Sequence, residues 1–217
     1  DYAAQRRATI REDRATPAAQ VAPGLGAFIE GNHTTHYSVV DAERNAVSVT
    51  TTLNSGYGSK VTVRGAGFLL NNQMDNFAAK PGSPNQYGLV QGEANAIAPG
   101  KRPLSSMSPS IVLDSAGELL FVTGSPGGPT IISTVFQTIS NVIDFRMDVA
   151  SAVGAPRLHH QHLPDQIVYE PGGLEPSIVT ALETLGHTVV ERRGYQGDAH
   201  AILVLPDGSL EAASDSR

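Results

Sequence analysis

Thr34-Thr35-His36-Tyr37-Ser38-Val39-Val40-Asp41 is the stretch on which the reading of this chain turns. Rich in β-branched and aromatic residues, it predicts a strand over His36–Asp41. Before it, Ala15 to Asn32 holds Pro17, Pro23, Gly24, Gly26 and Gly31 and few periodic apolar positions, the composition of a linker. A linker of this length inside a compact domain needs a reason, and a processing site is one. A cut between His33 and Thr34 would leave Thr34 with a free α-amine beside its hydroxyl. A threonine hydroxyl is a poor nucleophile near neutral pH, and an amine on the same residue can act as its base. The plain alternative is a strand that happens to begin with two threonines. Thr35 is the nearest rival nucleophile, but side chains alternate along a strand, so it would face the other way from Thr34.

Working outward, a short turn at Ala42–Asn45 leads into a second strand, Ala46–Leu53, where Val47, Val49, Thr51 and Leu53 alternate with Ser48, Thr50 and Thr52. A loop with Gly56, Gly58, Gly65 and Gly67 precedes a short apolar strand at Phe68–Leu70. Asn71 to Ser108 is polar loop with four prolines, and long loops of this kind carry function more often than not. Strands follow at Ile111–Leu113 and Leu119–Thr123 around an Asp114-Ser115-Ala116-Gly117 turn. Ile131, Val135, Ile139 and Val142 recur at helical spacing, and a second helix is expected at Asp148–Gly154. The last third predicts a strand at Gln166–Tyr169 and a helix at Glu175–Leu185 ended by Gly186. Strands are then expected at Thr188–Arg192, Ala201–Leu205 and Leu210–Ala213, the last two joined by an Asp207-Gly208 turn. Asp1–Arg14 reads as the end of a charged helix. The class is α+β, with strand and helix layers stacked.

The 217 residues suffice for one sizeable domain, and 40% hydrophobic with 17% charged content is that of a globular chain. A net charge of −6 without any basic run argues against a nucleic-acid partner. The absence of cysteine excludes disulfides, thiol catalysis and Cys-ligated zinc. No apolar run is long enough to span a membrane. The chain opens on Asp1 rather than Met, so the lack of a signal peptide carries no weight.

Five segments, Thr34–Asp41, Leu69–Phe77, Lys101–Pro109, Val122–Gly128 and Ala155–Gln161, carry a resemblance in order and spacing. From about Thr34 to Asp215 the chain resembles the small subunit of the γ-glutamyltranspeptidase family. Residues 1–33 resemble the tail of that family's large subunit plus the processing linker, with 34–217 as the small, catalytic subunit. The resemblance implies an N-terminal-nucleophile hydrolase fold, a four-layer αββα sandwich present here in part. It implies self-cleavage at His33–Thr34, Thr34 as nucleophile and Thr52 as the hydroxyl bonded to it. Read alone, Thr52 is a strand-forming threonine. Asn54, Gln73 and Asn76 match residues that hold the α-amino and α-carboxyl groups of a γ-glutamyl substrate, and Ser105 and Ser106 match a pair that grips the carboxylate. Gly127 and Gly128 match an oxyanion hole. Physics supports that assignment, because glycine admits close approach and Pro129 suits the first turn of a helix whose N-terminus favours negative charge; a plain tight turn is the alternative. The family needs no cofactor or metal. Its resemblance implies a large-subunit partner from the same precursor, a small γ-glutamyl or acyl-amide substrate, and a periplasmic or secreted setting.

The chain departs from the family pattern at Met74-Asp75-Asn76-Phe77, where a second Asp is typical in place of Asn76. That Asp would pair with the substrate's α-ammonium; Asn76 offers a carbonyl but no charge. The change weakens the expected grip on a γ-glutamyl group and favours acyl groups without the amine, as in the related cephalosporin acylases; an unprocessed, catalytically silent homologue is the other alternative. Pro129-Thr130 is also unusual there. His159, His160 and His162 invite a zinc reading, but adjacent histidines point in different directions and no acidic or Cys partner stands at regular spacing. His36 and His200 read as packing or hydrogen-bonding residues, since the Thr34 amine fills the role of base.

Overall fold

The computed structural model describes residues 10–17, 34–86, 89–162 and 164–216. Most of the linker, His33 and most of the expected N-terminal helix lie outside the described residues. Ile10–Arg14, within them, is not helical. There the Arg11 guanidinium pairs with Asp13 at 2.8 Å, an i,i+2 contact that a helix does not allow.

β1 (Thr34–Val40) and β2 (Ala46–Thr52) form an antiparallel hairpin whose register runs from Thr34 opposite Thr52 to Val40 opposite Ala46. β1 starts two residues earlier than its residue pattern predicts, because Thr34 pairs with Thr52 and extends the ladder to the strand's first residue. The turn is held by Asp41, whose Oδ1 accepts the Asn45 amide at 2.8 Å.

β3 (Ser110–Leu113), β4 (Leu119–Gly124), β8 (His200–Val204) and β9 (Leu210–Ser214) make an antiparallel sheet in the order β3-β4-β8-β9. Between them in sequence come helix α1 (Ile131–Ile143), helix α2 (Val149–Gly154), and a small sheet of β5 (Leu158–His159), β6 (Ile167–Tyr169) and β7 (Val189–Glu191). β6 and β7 are parallel, and helix α3 (Pro176–Thr184) makes the crossover that such a pair requires. Asp148 caps α2 by accepting the Ser151 amide at 2.8 Å. The expected strand at Phe68–Leu70 is replaced by a lone bridge between Thr62 and Leu69. Gly65 and Gly67, at φ 84 and 75, turn the chain tightly there, and Phe68 stays 55% exposed with no sheet to cover it.

The hairpin packs on one face of the four-stranded sheet, and α1 and α2 pack on the other. β4 lies in the middle, so Phe121 to Gly124 are all buried, as expected for a strand covered on both faces. Phe121 meets Val142, Val149, Ala152, Val153, Ala199 and Ala201 in the core on the helical side. On the hairpin side the contact is polar: Ser48 Oγ donates to the Thr123 carbonyl at 3.0 Å. Hairpin, sheet and helices supply three of the four stacked layers. The outer face of the hairpin, where the fourth would lie, leaves Tyr37 and Val39 50% exposed.

Candidate active site

The end of the hairpin builds the site. Thr34 and Thr52 close the β1–β2 ladder with side chains on its inner face, and Thr34 Oγ1 donates to Thr52 Oγ1 at 3.1 Å. Thr35 pairs with Thr51 on the outer face, and both are exposed. Past β2 the chain reverses at Asn54, a buried residue at φ 78. Asparagine tolerates that left-handed conformation better than most residues. Here the bend turns the Asn54 amide back onto Thr52 Oγ1 at 2.8 Å, so the hydroxyl facing Thr34 is fixed by its own chain.

From there the loops are laced together by amides. Asn54 Nδ2 donates to the Asn72 carbonyl at 3.2 Å, and the Ser55 amide donates to Asn72 Oδ1 at 3.0 Å. Asn72 leads into the tight turn Gln73–Asn76. The Asn76 carbonyl accepts Asn95 Nδ2 at 2.7 Å, while Asn95 Oδ1 accepts the Leu104 amide at 3.0 Å. That second bond draws in the segment carrying Ser105 and Ser106, and Ser106 Oγ donates to the Gly128 carbonyl at 2.9 Å.

The Gly127-Gly128 loop arrives from β4. Gly127 stands at φ 138 and Gly128 at φ 56, conformations open to glycine at little cost. A single 3-10 turn, Gly128–Thr130, runs into α1 with Pro129 at its start. The Gly127 carbonyl is held by the Thr130 amide at 3.1 Å and by Thr130 Oγ1 at 2.9 Å. The first amides of a helix have no intrahelical acceptor, and the positive end of the helix dipole lies with them.

One cleft is lined by Thr34, Thr52, Asn54, Gln73, Asn76, Ser105, Ser106 and Gly128 together. Of the residues named from sequence, only Gly127, buried behind Gly128, and His33, outside the described residues, are missing from its wall. The cleft also takes in Asn85, Leu89, Gln91, Leu104, Met107, Pro129 and Ile131. Sequence reasoning passed over Asn85 and Gln91; their only signal was membership of the long polar loop. Among the described residues that line the cleft none is ionisable. Its chemistry is hydroxyl, carboxamide and backbone.

The histidines have other work. His36 is 3% exposed, with Nδ1 2.8 Å from Thr50 Oγ1 and Nε2 3.0 Å from Ser38 Oγ. Burial first, and then the charge of nearby His200, hold its pKa down to about 4. His159 places Nδ1 2.8 Å from Ser133 Oγ and Nε2 3.0 Å from Gln161 Oε1, so both ring nitrogens are engaged in packing α1 against β5. His160 lies 3.3 Å from Asp165. Among the described residues no three His, Cys, Asp or Glu side chains gather to hold a metal.

Known proteins share this arrangement of chain. Residues 1–217 match the Gamma-glutamyltranspeptidase family profile throughout. The glutathione hydrolase proenzyme of Escherichia coli (strain K12) is 51% identical over 205 residues, 94% of this chain and 35% of that protein. A solved Helicobacter pylori γ-glutamyltranspeptidase variant superposes with a TM-score of 0.79 at 52% identity, covering 84% of this chain and 98% of that one. The cephalosporin acylase of Bacillus halodurans superposes with a TM-score of 0.78 at 26% identity, covering 99% of this chain and 36% of that one. The chain thus spans little more than a third of the length of its curated E. coli relative. With its fold, its stacked layers and a family match over residues 1–217 in agreement, this chain belongs to the γ-glutamyltranspeptidase family and has the N-terminal-nucleophile hydrolase fold.

Proposed function

We propose that Thr34 is the nucleophile of a self-processing amidohydrolase and acyltransferase acting on γ-glutamyl amides such as glutathione. The observation that carries this reading is the Thr34–Thr52 hydroxyl pair at 3.1 Å, standing in a cleft walled by Asn54, Gln73, Asn76, Ser105, Ser106 and Gly128. Cleavage at His33–Thr34 begins with Thr34 Oγ1 attacking the His33 carbonyl carbon. The peptide C–N bond breaks, the amine leaves as the new α-amine of Thr34, and water hydrolyses the ester. Residues 1–33 are then the end of the large subunit and 34–217 the small one.

In catalysis the freed amine takes the proton of Thr34 Oγ1 as the oxygen attacks the γ-amide carbonyl. Thr52, fixed by the Asn54 amide, orients that oxygen. The amides of Gly127 and Gly128, at the α1 N-terminus, stabilise the oxyanion; losing one such donor typically costs about 3 kcal/mol. The protonated amine then delivers its proton to the leaving nitrogen, and water or an acceptor amine resolves the ester. Asn54, Gln73 and Asn76 would meet the α-amino and α-carboxyl groups, with Ser105 and Ser106 at the carboxylate. The remainder of the precursor, as large subunit, completes the enzyme. The curated E. coli relative, a glutathione hydrolase proenzyme, supports the substrate and the precursor state.

A second substrate class has its own support. Among the described residues the cleft wall has no ionisable side chain to pair with an α-ammonium, and the fold superposes on a cephalosporin acylase. Glutaryl-type amides, which lack the amine, lose nothing at Asn76. The test compares kcat/KM of the processed, full-length enzyme on γ-glutamyl and glutaryl anilides. A strong γ-glutamyl preference supports the transpeptidase reading. Equal rates or a glutaryl preference replace it with the acylase reading, and inactivity on both, with Thr34 exposed, refutes the substrate class.

A further inference from the structure

His36 is two residues from Thr34 on the same face of β1, and its partner Thr50 is two residues from Thr52 on β2. The ring therefore bridges the hairpin one step inward from the hydroxyl pair. Its other neighbour is across the sandwich. A β-carbon built on Gly124 would fall 2.2 Å from His36 Cε1, 2.3 Å from Nδ1 and 2.8 Å from Nε2. No atom fits there, so the imidazole rests directly on the backbone of β4. Gly124 is the last residue of β4 and is followed by the short run Ser125-Pro126-Gly127-Gly128. From β8, His200 sits opposite Gly124 in the ladder and stacks on the His36 ring at 6.3 Å between centroids and 18° between planes. One rigid ring thus touches both the strand that starts with Thr34 and the strand that ends in the glycine loop.

Resting on the reading of Thr34 and Gly128 given above, we propose that His36 is a positioning residue whose imidazole, seated on Gly124, sets the separation between the threonine hydroxyl and the oxyanion loop. The two halves of the site come from different sheets, and backbone hydrogen bonds do not join them along this line. The spacing between them is set by what fills the gap, together with the bond from Ser48 Oγ to the Thr123 carbonyl beside it. Thr50 and Ser38 keep the ring upright, and His200, with Asp198 3.7 Å behind it, closes the far side. A displacement of about 1 Å in such an arrangement costs on the order of 100-fold in rate. Ser106 is tied to the oxyanion loop through the Gly128 carbonyl, but Asn54, Gln73 and Asn76 lie on other segments, so the loss falls mainly on kcat rather than KM.

The test is a two-position cycle in the full-length, processed enzyme: His36→Ala, Gly124→Ala and the double variant, with His36→Asn as a milder change that keeps a donor for Thr50. Each single variant is expected to lower kcat about 10- to 100-fold with KM little changed, one by closing the gap and the other by forcing it open. The double variant puts the new methyl into the space the ring leaves, and should recover kcat above Gly124→Ala alone. Melting temperature is followed in parallel, and kcat is normalised to folded, processed enzyme. Wild-type kcat in His36→Ala or His36→Asn, or a double variant that shows only the product of the two single losses, overturns the proposal. Thr34→Ala, which the proposed chemistry leaves uncut, is assayed as the full precursor: if it is cleaved or active the assignment of the site fails, whereas an uncut, inactive Thr34→Ala beside a fully active His36→Ala overturns the spacer alone.

Discussion

Lowering the pH should weaken the folded state through His36, and the size of the effect follows from its surroundings. The ring is 3% exposed, and burial with the nearby His200 brings its pKa to about 4, against about 6.5 for a free histidine. Between these values the unfolded chain binds a proton that the folded one refuses. Stability from this group is therefore fully present above about pH 6.5, falls as pH drops, and is exhausted below about pH 4. At pH 5 the loss is about 2 kcal/mol relative to pH 8, levelling near 3 kcal/mol in stronger acid. The full precursor carrying Thr34→Ala remains one chain on the proposed chemistry and suits an unfolding assay. Urea midpoints would be followed from pH 8 to 4.5 with His36 present and with His36→Gln, which bonds but does not titrate. The His36 protein should lose about 2 kcal/mol more by pH 5 than the Gln variant. Parallel curves for the two would refute the reasoning, since they would mean that the buried ring accepts its proton without cost.

Thr52→Val removes the oxygen facing Thr34 while keeping a β-branched strand residue, and should cut kcat by about 100-fold, with Thr52→Ser retaining most of it; steady-state kinetics on a γ-glutamyl anilide decide. Asn76→Asp should raise the ratio of γ-glutamyl to glutaryl kcat/KM by about tenfold or more, because a carboxylate can pair with the α-ammonium; an unchanged ratio would show that position 76 does not read the amine. Arg157 and Asp215 pair at 2.8 Å with both side chains nearly inaccessible. Arg157→Ala should therefore cost about 3–5 kcal/mol, seen as a fall in melting temperature, while a paired Arg157→Met, Asp215→Leu change should cost less.

Strand alternation showed that Thr35 would face away from Thr34, and the alternating pattern of Ala46–Leu53 marked a neighbouring strand, but Thr52 was singled out by the resemblance, and its place opposite Thr34 came from the register of the hairpin. The glycine loop and Pro129 announced a helix N-terminus by their conformational needs. Asn76, Gln73 and Ser106 were different. Nothing in their local pattern marks them, and only the resemblance named them. Asn85, Gln91 and Asn95 went unseen because their role depends on loops meeting: Asn95 joins the Asn76 turn to Leu104, segments with no periodicity to betray the contact. β5, two residues long, carries too little pattern to show, and it exists because β6 lies beside it. His36 was legible as a packing residue, but its seat on Gly124 joins positions 88 residues apart in a chain whose local signals reach only a few.

Helix α3 has no fully buried residue, and β7 beside it is three residues long. Amide exchange should be fast across this crossover at conditions where β4 and β8 remain protected, because little apolar surface holds it closed. The opening has a natural limit at Glu170. That carboxylate, fully enclosed, accepts the Arg157 amide at 2.9 Å and the Gln196 amide at 2.7 Å, tying the end of β6 to segments on either side of the crossover. The unit past it can breathe as a separate piece while the half of the molecule that holds Thr34 stays shut.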